Sequence, residues 1–214
     1  MYQLRSGLIA GRGALDAAAA GGGGGTTTLD PVNKDPDVTL SGGNLTATDT
    51  GGDAFMRSSV GHTSGKYYYE VTLGAWPTFG GTFIGAADGS NATNGSGGFL
   101  GNGTHGVGAP DSGGWAGAPS GTTTSPTYFT PGDVVCLAID IDNGKIWIRL
   151  NAGNWNSNGT ANPATNVNGA TFNAGMTGGS TIYAAATLGN NNFVTFNFGA
   201  TAYAQTPPSG FGNM

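Results

Sequence analysis

The sequence predicts an all-β protein, an antiparallel two-sheet β-sandwich preceded by an extended N-terminal arm. Three observations support this prediction: Gly accounts for 42 of 214 residues, aromatic residues account for 10%, and glutamate occurs once, at Glu70. Many short strands joined by loops of Gly, Asn and Thr explain this composition, because glycine suits turns and aromatic side chains suit strands. Seven or more strand patterns separated by turn residues are typical of a sandwich.

The strand patterns begin near residue 30 and recur along the chain. Residues 38–40 and 44–48 flank Ser41-Gly42-Gly43, which predicts a hairpin. Residues 182–188 and 193–198 predict a second hairpin, with the turn in the four residues between them. Further strands are predicted over residues 55–60, 66–73 and 82–87.

The strongest turn signal is Asn143-Gly144, within the segment GDVVCLAIDIDNGKIWIRL. A two-residue type I′ turn at these positions pairs Asp140 with Trp147. Side chains alternate across a strand, so the opposite face of this central hairpin is apolar. We expect that apolar face to pack on the core, with Trp147 and Arg149 on the other, amphipathic face. The apolar side chains are Leu137, Ile139, Ile141, Ile146, Ile148 and Leu150.

Charge and cysteine content exclude several classes of function. The net charge is −5 and only 9% of residues are charged, with the seven basic residues scattered, which argues against a nucleic-acid surface. Cys136 is the single cysteine, which excludes an intramolecular disulfide and a cysteine-based zinc site, and we expect it to be buried. No segment approaches the ~20 apolar residues of a membrane span.

The first 28 residues are predicted to form an anchor arm and tether, followed by a β-sandwich domain over residues 29–214. Residues 17–28 read AAAAGGGGGTTT, which is typical of a flexible tether. The preceding residues lack the apolar core of a signal peptide, so we expect synthesis in a cytoplasm. Apolar side chains spaced near helical periodicity suggest an anchor that binds a partner protein, although a disordered terminus is the alternative. The anchor candidates are Leu4, Leu8, Ile9 and Leu15, with Arg5 and Arg12 between them.

The residues resemble those of the SPRY domain, a concanavalin-like bent β-sandwich. The matching segments occur in the family's order and spacing, and each is weakly specific by itself. They are SGKYYYEV (64–71), IGAA (84–87), GDVV (132–135), DIDNGKIW (140–147), IYAA (182–185), VTFNFG (194–199) and PPSGF (207–211). The resemblance implies a recognition module without catalytic residues.

The chain looks most like the SPRY-like structural proteins of tailed bacteriophages. That variant has an Asn- and Trp-containing segment after the central hairpin, and residues 151–165 read NAGNWNSNGTANPAT. The resemblance covers roughly residues 36–212. Residues 88–125 depart from the family pattern, because they form a long insertion rich in Gly, Asn and Pro that predicts loops with one or two short strands.

Motifs that could carry chemistry are weak. Residues 101–106 fit G-x-G-x-x-G, but Pro110 follows too closely for the helix that a nucleotide site needs. Asp140 and Asp142 could act as an acid–base pair or bind calcium, yet they read more simply as polar residues beside a turn. His62 and His105 read as solvated loop residues. We therefore assign no catalytic residue, cofactor or metal, and expect a protein that is not an enzyme.

Aromatic residues in predicted loops are the candidate ligand or partner surface. Exposed rings beside amides and hydroxyls suit a sugar, while the alternative is that they anchor the loops to the sandwich. Arg149 and Trp147 could line a concave groove, or could serve packing across the sheet. The candidates are Trp76, Phe79, Trp115, Trp147, Arg149 and Trp155.

We expect a multi-copy virion structural protein of a tailed phage, attached through residues 1–28 to a capsid or tail protein and exposed on the particle surface. Display in many copies would strengthen weak contacts with a host surface by avidity. The alternative is a receptor-binding, lectin-like adhesin that recognises host carbohydrate. A glycan-cleaving enzyme is a third hypothesis, disfavoured by the single glutamate.

Overall fold

Two mainly antiparallel sheets, packed face to face, make up the computed structural model, which describes residues 26–75, 81–91, 99–118, 128–189 and 191–214. Three short 3-10 segments occur at Trp155–Ser157, Pro163–Thr165 and Ala174–Met176, and no helix of these ranges is long and apolar enough to cross a membrane. In chain order the strands are β1 (Leu29–Lys34), β2 (Val38–Ser41), β3 (Thr46–Asp49), β4 (Ala54–His62), β5 (Lys66–Leu73), β6 (Phe83–Asp88), β7 (Gly106–Pro110), β8 (Val134–Asp140), β9 (Lys145–Leu150), β10 (Ala170–Thr171), β11 (Ile182–Leu188), β12 (Phe193–Asn197) and β13 (Gly212–Asn213).

The smaller sheet has the strand order β1-β4-β11-β6-β7, and the larger has the order β10-β9-β8-β5-β12-β3-β2, with β13 pairing in parallel with β5. Aliphatic and aromatic side chains from both inner faces form one buried core. Tyr69 of the larger sheet also donates its phenol to the Gly85 carbonyl of the smaller sheet. The predicted all-β sandwich is therefore confirmed, as are the β2–β3 hairpin and the strand over Lys66–Leu73.

The central hairpin β8–β9 forms in a register that differs by two residues from the predicted one. Asp140 pairs with Lys145, which leaves a four-residue loop. Gly144 has φ 59°, but Asn143 is not among the residues with positive φ, as a type I′ turn would require. The Asp140 carboxylate instead accepts hydrogen bonds from the backbone and side-chain N–H groups of Asn143, at 3.0 and 2.9 Å. A shift of two residues leaves each side chain on its predicted face, so Ile139 and Ile146 remain in the core.

The predicted hairpin between β11 and β12 is wrong. β11 pairs with β4 and β6 in the smaller sheet, whereas β12 pairs with β3 and β5 in the larger sheet. The residues between them carry the chain from one sheet to the other. The sequence of β12 alternates as in a half-buried strand, and that of β11 is a short, mostly apolar run buried on both faces. Neither pattern reveals the partner strand, because pairing depends on residues distant in the sequence.

The outer face of the larger sheet is covered along β5, β8 and β9, contrary to the expectation of a sheet packed from one side only. Trp147, Cys136 and Ala138 have no exposed surface. The Trp147 indole N–H donates to the Val167 carbonyl at 2.8 Å, which fixes the loop after β9 on this face. Burial raises the pKa of the Cys136 thiol, so Cys136 stays protonated and is a poor nucleophile.

Glu70 fastens the C-terminal segment to the same face. Its carboxylate is 3% exposed and accepts hydrogen bonds from the Tyr68 hydroxyl and from the backbone N–H groups of Ala204 and Gln205, each at 2.8 Å. Burial raises the pKa of the Tyr68 phenol, which therefore remains a donor. The Tyr203 hydroxyl adds a hydrogen bond to the Tyr68 carbonyl at 2.9 Å. The single glutamate is thus a structural residue.

We predict that Glu70→Gln lowers the free energy of unfolding by about 1–3 kcal/mol, because an amide NH2 would then face a buried backbone donor. Urea denaturation measures the change. Gln205→Ala is the matched control, since Gln205 contributes its backbone N–H to this contact and the variant retains that group. Equal effects of the two variants would show that the carboxylate does not hold the segment.

We also predict that Gly169→Ala destabilises the fold by about 1–3 kcal/mol, because its Cβ would lie 2.5 Å from the buried Trp147 ring. Gly159→Ala in the same loop is the control, since its Cβ would meet no atom closer than 3.9 Å. Thermal unfolding compares the two. A control that loses as much stability as Gly169→Ala would contradict the proposed packing.

Candidate recognition surfaces

Several sequence-predicted site residues lie outside the described residues. These are the aromatic candidates Trp76 and Phe79 and the arm candidates Leu4, Arg5, Leu8, Ile9, Arg12 and Leu15. Thr28, which lies near the start of the described residues, contacts strand β4 of the smaller sheet. The Ser59 N–H donates to the Thr28 carbonyl at 2.7 Å, and the Thr28 N–H reaches the Ser59 hydroxyl at 3.3 Å.

The structure brings three of the candidates together on the outer face of the larger sheet, where each has structural partners. Trp147 is fully buried, so a ligand could not reach its ring in this conformation. The Arg149 guanidinium lies 4.5 Å from the centre of the Trp155 ring and donates to the Thr206 carbonyl at 2.8 Å. Arg149 thus links the loop after β9 to the C-terminal segment.

The asparagines near Trp155 use their amides to hold their own loop. The side-chain carbonyl of Asn156 accepts a hydrogen bond from the Ile148 backbone N–H at 2.9 Å. The side-chain NH2 of Asn156 donates to the Asn168 backbone carbonyl at 2.7 Å. The Asn162 side chain accepts from the Ala164 N–H, and the Asn168 side chain donates to the Thr160 hydroxyl. The abundance of amides beside an aromatic ring therefore reflects loop structure here.

Trp115 is separate from that group and lies at the edge of the smaller sheet. The neighbouring Ala116 exchanges backbone hydrogen bonds with Gly108 of β7, at 2.8 and 3.0 Å. The Trp115 ring is partly buried and packs against the core. The four predicted tryptophan and arginine positions inside the described ranges therefore do not form one surface.

The titratable side chains considered for chemistry form separate contacts. His105 lies 2.8 Å from the Asp88 carboxylate, and Lys66 lies 3.1 Å from that of Asp140. His62 stacks on the Tyr67 ring at 3.8 Å between ring centres, and burial lowers the His62 pKa. Within the described ranges, no three His, Cys, Asp or Glu side chains are grouped so that they could hold a metal ion.

Loops at one end of the sandwich form an open cleft of about 380 Å³, which the sequence did not predict. Its walls come from the β4–β5 loop, the β8–β9 turn and the loop between β10 and β11. The lining residues include Thr63, Asp142, Asn143, Phe172, Thr177 and Ser180. The Asn143-Gly144 turn was visible as a turn signal, but nothing local indicated that it meets the loop containing Gly178 and Gly179.

Hydrogen bonds between these loops hold the cleft in shape. The Phe172 N–H donates to the Gly144 carbonyl at 2.8 Å, and the Gly65 N–H donates to the Asp142 carboxylate at 2.9 Å. On the far side, the Gly175 N–H donates to the Thr104 carbonyl at 2.9 Å. A concave site of this size built from cross-linked loops is suited to binding a small group.

Comparison with known proteins gives a likeness in fold. The sequence matches no protein-family model, and it matches no curated protein at a significant level. The SPRY domain of human HERC1 superposes with a TM-score of 0.61 at 15% identity, covering 81% of this chain and 99% of that one. The TRIM65 PSpry domain superposes with a TM-score of 0.56 at 12% identity, covering 80% and 89%.

Stonustoxin superposes with a TM-score of 0.53 at 17% identity, covering 80% of this chain and 27% of that larger chain. These likenesses, together with the two-sheet topology, establish the architecture independently of sequence motifs. The chain has the fold of a SPRY domain.

Proposed function

We propose that the protein is a non-enzymatic recognition module, displayed on a tailed-phage particle and attached to it through its N-terminal arm. The observation that carries the recognition part is the end cleft on a rigid SPRY-fold scaffold. The sequence resemblance to phage SPRY-like proteins supports the proposed location on a phage particle. The apolar residues of the arm support attachment to another virion protein.

The commitment of ionisable groups to structural contacts supports a role in binding rather than catalysis. Glu70 holds the C-terminal segment, Asp140 caps the central turn, and Asp88 holds His105. A general acid or base must be able to reach a substrate and exchange its proton. These carboxylates instead accept hydrogen bonds that maintain the loops.

The position of Thr28 supports the attachment part of the proposal. Thr27 is 8% exposed, and Thr28 is bonded to Ser59 of strand β4, so these two residues lie against the smaller sheet. A partner could therefore bind the preceding residues without displacing a strand. An apolar side chain buried in such a contact contributes about 1.5–3 kcal/mol.

We predict that deleting residues 2–25 yields a folded protein that no longer attaches to the particle. The deletion retains Thr27 and Thr28, which contact the domain. The amount of this protein on purified particles, measured by quantitative mass spectrometry, gives the result. Circular dichroism of the truncated protein checks its fold.

A substitution pair refines that test. Leu8→Asp with Ile9→Asp should also abolish attachment, because two carboxylates would have to be buried without partners. Replacement of Gly21–Gly25 by serine preserves tether length and should leave attachment intact. Retention of the truncated protein or of the Asp variant on particles would contradict the anchor role.

A receptor-binding adhesin that recognises carbohydrate is the second candidate function. The specific observation that favours it is the chemistry of the end cleft, where several side chains present hydrogen-bond acceptors. The two candidates are compatible, since a displayed module can bind a host glycan.

A further inference from the structure

We propose that the end cleft binds a neutral sugar residue, held by acceptors from the β8–β9 turn and the loop between β10 and β11. This inference deepens the recognition part of the proposed function and rests on it, but it does not depend on the arm. It assigns the ligand to a site away from the predicted aromatic surface of Trp115 and Trp155.

The β8–β9 turn presents two acceptors in fixed positions. Asn143 donates its side-chain NH2 to the Asp140 carboxylate at 2.9 Å, which orients the amide and leaves its carbonyl oxygen available. Asp142 accepts the Gly65 N–H on Oδ1, and its Oδ2 receives no hydrogen bond from the described part of the chain. Both side chains are exposed and line the cleft.

The opposite wall presents hydroxyl groups whose protons are donated to backbone carbonyls of the same loop. Thr177 donates to the Ala174 carbonyl at 2.8 Å, and Ser180 donates to the carbonyls of Thr177 and Gly175 at 3.1 and 3.2 Å. A hydroxyl that donates internally faces the cleft as an acceptor. Together with the turn, this wall makes a site for a ligand that carries several donors.

The surface between the walls allows close approach of such a ligand. Ile141 contributes a partly exposed apolar side chain, whereas Phe172 and Met176 line the cleft with only 2% of each residue exposed. Gly178 and Gly179 have φ 77° and 90°, and a Cβ at either position would meet no atom within 4 Å. A sugar ring carries several hydroxyl donors, which match the acceptors that the two walls present.

The charge of the lining favours a neutral polyol over a cation. Among the described lining residues, Asp142 carries the only formal charge. One exposed carboxylate contributes little to the binding of a cation, because solvent screens the pair. A carboxylate oxygen accepts a strong hydrogen bond from a sugar hydroxyl, and the neighbouring acceptors can take others.

The test is a titration of the isotope-labelled full chain with glucose, galactose, mannose, rhamnose and N-acetylglucosamine, followed by NMR. At least one sugar should shift the backbone amides of residues 63–65, 142–144 and 177–180, with a Kd on the order of 1 mM. Asp142→Asn converts one free acceptor to a donor while keeping the contact with Gly65, so it should weaken binding roughly tenfold. Asp53→Asn, an exposed position outside the cleft lining, is the charge-matched control and should bind normally.

A second pair of variants tests the volume of the cleft. Thr63→Phe places a ring in the cleft and should abolish binding, whereas Thr201→Phe, at an exposed position elsewhere, should not. The inference is overturned if no sugar shifts these amides, or if Asp142→Asn and Thr63→Phe both bind like the unmodified protein. It is also overturned if 1,4-diaminobutane shifts the cleft amides and none of the sugars does.

The outcome is separable from that of the arm experiment. Absence of sugar binding removes the cleft site and leaves particle attachment unaffected. Conversely, the full chain could bind a sugar while the truncated protein stays on particles. That result would support the sugar site in the cleft and contradict the anchor role of the arm.

Discussion

Burial of both faces of the central strand β5 is the constraint on which the rest of the structure depends. On one face, Tyr69, Val71 and Leu73 enter the core between the sheets. On the other face, Tyr68 and Glu70 are covered by the C-terminal segment. A one-residue shift of β5 would turn Glu70 into the apolar core and remove its hydrogen-bond partners, so this strand sets the register of its neighbours.

This double burial has a consequence for function. A low-charge chain has few ionisable groups, and those near the large sheet serve to hold covering segments in place. Arg149 joins Trp155 to the Thr206 carbonyl, and the Asp140 carboxylate joins Lys66 to the turn at Asn143. The outer face of the larger sheet is thereby covered along β5, β8 and β9, and the cleft described above lies among loops at one end of the sandwich.

The strand pattern was predictable wherever one face is apolar. The prediction for β5 matches its bounds, and the inward face of the β8–β9 hairpin is as expected despite the different turn. That turn was misread because Asp140 offers Asn143 a side-chain cap, which competes with the tight type I′ geometry. Trp147 and Arg149 were placed on the correct face, but their alternation could not reveal that a later loop and the C-terminal segment cover them.

By itself the sequence determined that the protein is all-β, which residues face inward and where most strands lie, because these follow from local conformational preference and a side-chain period of two. Only the tertiary structure decided which strands pair, since β11 and β12 enter different sheets although four residues separate them. It also decided where a ligand could bind. The cleft joins Thr63, Asp142 and Ser180, which are distant in the chain and meet because antiparallel strands bring their connecting loops to one end of the sandwich.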